Sequence, residues 1–198
     1  MKRKNISIVL NIIIIVLEVM GIIHNLRYNG RFALEYYTEQ SNVLLLISSI
    51  LMLVYKNNKP KWLKDFRYLT TVDVSITFFV ALFILLPMTN YNFKEMFLVG
   101  TLLYHHFLCP ILAMITFVLF DDLGEFNKKD TLISLIHTII YAFVMIILNI
   151  LRVYEGPYPF LMVYNQGLLM SLLWVIIIFA TAYTISYILR TLKKRVRY

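Results

Sequence analysis

Six stretches of this chain are apolar for too long to fold as anything but membrane-crossing helices: residues 5–24, 39–55, 68–88, 96–120, 131–151 and 167–189. A helix needs about 20 mostly apolar residues to cross a hydrocarbon core of roughly 30 Å. Strands are excluded as the spanning element because the runs are unbroken rather than alternating, and an open sheet would leave backbone groups unpaired in lipid. Composition agrees, with 60% of residues hydrophobic and 15% charged, against about a quarter charged in a soluble domain. The longest connections, 56–67 and 152–166, leave no room for a separate soluble unit. The expectation is an all-α membrane protein, a single six-transmembrane-helix bundle over residues 1–198.

The first run follows Lys2, Arg3 and Lys4, as a signal peptide would. Glu18, Met20 and His24 stand where small residues would mark cleavage, so the run reads as a retained helix. The single cysteine, Cys109, excludes an internal disulfide. The halves of the chain share no repeat of the kind that marks inverted-repeat transporters.

The formal charge of +8 does not point to nucleic acid, because the basic residues segregate by loop. Residues 2–4, the 56–67 loop, Lys128 with Lys129, and residues 190–197 carry most of them on one side. Arg27, Arg31, Lys94 and Arg152 lie on the other. The positive-inside rule then makes both termini cytoplasmic and turns the Thr38 end of the second span outward. The expected setting is a bacterial cytoplasmic membrane, with the basic excess also attracting anionic lipid. Aromatic residues near the span ends, Tyr36, Tyr37, Trp62 and Tyr158 among them, fit an interfacial belt.

Ionisable groups inside a span cost roughly 3 kcal/mol or more each at the bilayer centre, so each is a functional hypothesis by default. Glu18, Asp73, His105, His106 and His137 qualify, with His24 at an outer end. With the third helix starting at 68, Asp73 lies about a turn and a half from the cytoplasmic side, where it can pair with His137 as structural glue. The outer half collects Glu18, Thr38, Ser41, Asn42 and His105.

Pro110 has no N–H for the carbonyl four residues earlier, that of His106, so a kink is expected beside the histidine pair. Adjacent helical residues point about 100° apart. One of the two histidines is therefore expected to face the pocket and the other to make a structural hydrogen bond. Thr38, Ser41 and Asn42, at i, i+3 and i+4, line one face of the second helix. Thr38 reads most simply as an N-cap, though without a capping box. The same geometry also suits chemistry, because free N–H groups of Glu39 and Gln40 could hold an oxyanion if the hydroxyl attacked a carbonyl.

Thr38 in "YYTEQSN", His105 in "HHFLCP" and the "YPFL" of 158–161 together resemble the androgen-induced-protein family of intramembrane threonine hydrolases and its bacterial six-span relatives, the Pr6Pr-like membrane proteins. In that family a threonine at the start of one span and a histidine five residues before a proline form a hydrolytic pair. Here those positions are Thr38 and His105. The resemblance implies a hydrolase of lipid esters, of the fatty acid ester of hydroxy fatty acid type, with Thr38 as nucleophile and His105 as base. Glu18, Ser41, Asn42, His106 and Asp73 are the expected supporting groups, Glu18 or Asn42 orienting the base. Tyr37, Pro110, Tyr158 and Phe160 are the expected pocket residues. No cofactor or metal is expected, and the partner is a membrane lipid or fatty acid ester.

A transporter is the main rival, with Glu18, His105, His106, Asp73 and His137 as a proton relay. Haem held by His105 and His137 is disfavoured by their difference in depth. A metal on His105 and Cys109 rests on a spacing that packing explains equally well.

Overall fold

The computed structural model describes residues 3–29 and 34–196; Lys2, Arg31 and Arg197 of the charge pattern lie outside them. Among the described residues there is no strand, and six helices are long and apolar enough to cross a membrane. These are α1 (Arg3–Asn29), α2 (Tyr37–Val54), α3 (Lys61–Met88), α5 (Gly100–Phe120), α6 (Lys128–Ile150) and α7 (Leu168–Val196), with a short α4 (Phe93–Phe97) between α3 and α5. The expected six-helix membrane bundle is the observed one.

Helix α1 makes the membrane setting visible. Its buried residues, Asn11, Ile14, Glu18, Gly21 and Asn25, alternate by three and four along one stripe, while Ile12, Val16, Val19 and Ile23 are exposed. A soluble helix turns its apolar stripe inward. This one turns polar and small residues inward, as a helix does when its solvent is lipid and its neighbours supply hydrogen bonds.

Helix α3 is the centre of the bundle, buried almost continuously from Arg67 to Thr77. It starts at Lys61, earlier than the apolar run, so Asp73 is twelve residues from the start, about 18 Å along the axis. The helix therefore begins seven residues earlier than expected, and Arg67 is a buried residue of α3 instead of a loop charge. Hydroxyl pairs fasten α2 to α3: Ser41 with Thr77 at 3.0 Å and Ser48 with Thr70 at 2.9 Å.

Two features shape the face of the bundle away from the termini. In α5 the kink expected at Pro110 takes the form of a π-helical segment, Leu103–Leu108. A π register pairs a carbonyl with the N–H five residues on, and five residues after His105 stands Pro110, which has none. The orphaned carbonyl is therefore that of His105, not of His106, and Asn42 Nδ2 donates to it at 3.2 Å. The connection from α6 to α7 is folded back by left-handed turns at Arg152 (φ 57°) and Gly156 (φ 88°). Buried Asn149 ties it down, donating to Glu155 O and accepting from Val163 N at 2.9 Å. This fold-back brings Tyr158 and Phe160 over the start of α2.

Candidate functional site

The stretch Tyr37 to Asn42 enters the bundle as the first turn and a half of α2, and all but Gln40 are buried. Tyr36 occupies the N-cap position and makes no side-chain cap bond, so Thr38 lies inside the helix and the capping role expected of it is not observed. Its hydroxyl is turned to other residues instead. Thr38 Oγ1 stands 3.3 Å from His106 Nε2 and 3.4 Å from the Tyr158 hydroxyl.

His106 Nδ1 lies 3.1 Å from the carbonyl of Met96. A carbonyl only accepts, so the ring proton sits on Nδ1 and Nε2 is left with a lone pair facing the threonine. That is the arrangement a general base needs, with a backbone carbonyl as the orienting third group. The short α4 supplies that carbonyl, held by a capping box between Asn92 and Glu95. The expected Thr38–His105 pair is thus not formed; the histidine at the hydroxyl is its neighbour.

His105 turns the other way. Its Nδ1 is 3.3 Å from Glu39 Oε1 and its Nε2 is 3.5 Å from Glu18 Oε2, with all three side chains buried. Gly21 makes the approach possible, since a Cβ there would stand 2.7 Å from His105 Cδ2. Both histidines border the start of α2, one on each side of Glu39. As their separation of about 100° predicts, one histidine faces Thr38 and the other turns to the carboxylates of Glu18 and Glu39.

Asp73 and His137 pair as expected, His137 Nδ1 standing 2.9 Å from Asp73 Oδ2. The pair is not remote from the outer cluster. The Tyr37 hydroxyl donates to Asp73 Oδ1 at 2.8 Å and meets Thr138 Oγ1 at 2.8 Å, and its ring stacks on His137. His137 Nε2 also lies 3.1 Å from Gln40 Oε1.

Thr38 and Tyr158 stand between two spaces. One is a vestibule of about 750 Å³, lined by His24, Glu35, Glu39, Thr89, Met96 and His106 among others. The other is a slot of about 50 Å³ with an almost wholly apolar wall of Ile76, Val80, Leu85, Tyr141, Leu161 and Ile178, bordered also by Tyr37 and Phe160. Pro110 lines neither; it is buried within α5. Burial pushes the Tyr158 hydroxyl up to about 12, so it remains an O–H donor at neutral pH.

The backbone donors expected to hold an oxyanion are taken, since both Glu39 N and Gln40 N donate to Tyr36 O at 3.1 Å. The Thr38 N–H is taken as well, donating to Tyr158 Oη at 3.4 Å, which leaves the Tyr158 O–H as the donor at hand. Ser41 Oγ and Asn42 Nδ2 both donate to Thr38 O, at 2.9 and 2.8 Å, so they position the turn and stand back from the hydroxyl. No group of three or more His, Cys, Asp or Glu suited to a metal ion occurs among the described residues.

Sequence reasoning missed the carbonyl of Met96 and the side-chain contacts of Glu39, Gln40 and Arg67. Glu39 carried a signal, being a carboxylate inside an expected span, and should have stood beside Glu18. No protein-family model, curated protein or solved structure matches this chain, so its function rests on the geometry of the site.

Proposed function

We propose that the protein is an intramembrane hydrolase of lipid esters, with Thr38 as nucleophile and His106 as general base. The observation that carries this reading is the chain Thr38 Oγ1, His106 Nε2, His106 Nδ1, Met96 O, with links of 3.3 and 3.1 Å. Thr38 Oγ1 attacks the ester carbonyl carbon while its proton passes to His106 Nε2. His106 returns that proton to the departing alkoxide, leaving an acyl-threonine and a free alcohol. Water from the vestibule then attacks the acyl group, gives a proton to His106, and the acid leaves as Thr38 Oγ1 is reprotonated. The Tyr158 O–H, 3.4 Å from Thr38 Oγ1, is the donor assigned to the developing oxyanion.

The substrate class we propose, on the resemblance in the sequence, is an ester of the fatty acid ester of hydroxy fatty acid type, and the site's apolar and polar sides support it, with the first carbons of the acyl chain toward the apolar slot and the polar end in the vestibule. The membrane we assign is a bacterial cytoplasmic membrane, with the basic end inward by the positive-inside rule. Labelling of the detergent-solubilised protein by a fluorophosphonate probe tests the chemistry. Labelling of the parent is expected to persist in Thr38→Ser, vanish in Thr38→Ala and slow by about 10²–10⁴-fold in His106→Ala. A folded parent that takes no label, or a Thr38→Ala variant that does, sinks the assignment.

One observation favours a second reading, a proton-coupled transporter of small solutes. The titratable groups form two clusters, Glu18–His105–Glu39 and Asp73–His137, on either side of the first turns of α2, and hydroxyl pairs lie along the α2–α3 seam toward Arg67. Proton flux into liposomes that is lost in Asp73→Asn, with probe labelling absent throughout, is the outcome belonging to that reading.

A further inference from the structure

At the opposite end of the bundle a second cavity, about 420 Å³, opens between the first turns of α1, the α2–α3 loop and the end of α5. Arg3, Lys4, Lys56 and Lys59 surround it. Of the carboxylates there, Asp121 is already engaged, taking Arg67 Nε at 2.9 Å and the Ser7 hydroxyl at 2.7 Å. Its charge is balanced by a guanidinium buried with it, so the cations at the cavity face only Asp122 as a further carboxylate. A concave site of one dominant sign draws in an anion.

The walls say more about which anion. Ile8, Met52, Leu53 and Phe120 form an apolar side, and the lipid-facing Val9 and Ile12 follow directly on α1. Deeper in, Asn11 lines the cavity and is 1% exposed, yet its Oδ1 has no donor, because Nδ2 makes all of its bonds to Ser7 and Asp121. A buried amide oxygen without a partner is costly unless a ligand donates to it. Cations at the mouth, an apolar wall continuous with the lipid face, and a buried acceptor needing a hydroxyl describe one ligand chemistry.

We propose that this cavity is a binding site for an anionic phospholipid whose headgroup carries hydroxyls. The phosphate lies among Arg3, Lys4, Lys56 and Lys59, a headgroup hydroxyl donates to Asn11 Oδ1, and the first methylenes of an acyl chain lie on Ile8 and Phe120. Lys4 Nζ already holds Asn57 Oδ1 at 2.9 Å, so a lipid there ties the start of α1 to the α2–α3 loop.

Native mass spectrometry of the whole protein in detergent tests this with three probes: phosphatidylglycerol, phosphatidylcholine and soluble glycerol 3-phosphate. The parent is expected to keep one phosphatidylglycerol with at least tenfold preference over phosphatidylcholine, undisplaced by glycerol 3-phosphate. The triple variant Lys4→Gln, Lys56→Gln, Lys59→Gln should weaken it roughly a hundredfold, at about one kcal/mol per cation. Lys128→Gln with Lys129→Gln, which removes two cations that do not line the cavity, should leave it unchanged. Asn11→Leu, checked for folding by its thermal transition, should bind phosphatidylglycerol more weakly and phosphatidylcholine as before. Equal losses in the two lysine variants would mean diffuse surface attraction and overturn the site. Binding of glycerol 3-phosphate as tight as that of the lipid would overturn the lipid as its occupant.

Discussion

The two buried polar clusters of this bundle are built to different standards. Around Arg67 the contacts are short: 2.9 Å to Asp121, 3.0 and 3.2 Å to Ser49 and Ser48, with Lys193 Nζ capping the carbonyls of Phe117 and Asp121, although Nη2 of the guanidinium has no hydrogen-bond partner. Around the start of α2 the contacts of His105 and His106 run from 3.1 to 3.5 Å, and Glu18, Glu39, Asn42 and His105 all keep buried atoms without hydrogen-bond partners. An ionic cluster with short contacts and few orphan atoms holds helices in register, whereas one with long contacts and many orphan atoms beside an open vestibule is poised to meet something that enters. The difference separates a fastening from a site.

The sharpest way to break that comparison is to disable each cluster in turn. Arg67→Ala leaves Asp121 as an uncompensated buried charge, a loss of about 3–5 kcal/mol. The expected result is a protein that fails to give a monodisperse peak in detergent or unfolds far below the parent. Thr38→Ala should unfold within a few degrees of the parent while losing all probe labelling. If Arg67→Ala were stable and Thr38→Ala were not, the roles assigned to the clusters would be reversed.

Within the outer cluster, the two histidines are expected to separate by reaction rate. His106→Ala removes the base and should slow probe labelling by about 10²–10⁴-fold. His105→Ala touches neither the hydroxyl nor the Met96 carbonyl and should cost much less, the loss coming through the placement of Glu39 next to Thr38. Equal losses would mean that the base role is shared or that α5 rotates in the working protein.

How much of this was legible in the sequence follows from what each signal depends on. The six spans were readable because crossing lipid is a matter of local length and hydropathy, and the Asp73–His137 pair because unpaired charges in a membrane find each other. The identity of the base was not readable. Which of two adjacent histidines meets Thr38 depends on the π segment at Leu103–Leu108, which shifts the register of α5. The start of α3 was misread for a related reason: Leu63, Arg67, Thr70 and Thr71 already mark its buried face, but hydropathy alone sees a charged loop there. The oxyanion donors failed because Tyr36, not Thr38, is the cap, and its carbonyl takes the N–H groups that a reading from spacing leaves free.

Gly21 tests how closely the outer cluster is fitted in spite of its long contacts. A methyl group there runs into the His105 ring, so Gly21→Ala should cost about 1–3 kcal/mol as α1 or the ring gives way. Thermal unfolding in detergent measures it. No change in stability would mean that His105 has room to swing and that its contacts with Glu18 and Glu39 are not fixed.

The smallest expected effect belongs to Tyr158, which the α6–α7 connection brings from far along the chain to within 3.4 Å of Thr38. Tyr158→Phe keeps the ring stacked on Phe160 and removes only the hydroxyl. Losing one neutral donor near the oxyanion should slow labelling by about fivefold to tenfold, the equivalent of about 1 kcal/mol. The pH dependence gives the sign. Burial holds the phenol protonated up to about 12, above its ordinary value near 10, so the donor is present at neutral pH and is lost only as pH rises through the folded value. The ratio of parent to Tyr158→Phe labelling rates should therefore stay constant between pH 7 and roughly pH 10, where an exposed tyrosine would already be half ionised. A ratio that falls toward one across that range would mean that Tyr158 is open to solvent and that the lid formed by the α6–α7 connection does not close over Thr38.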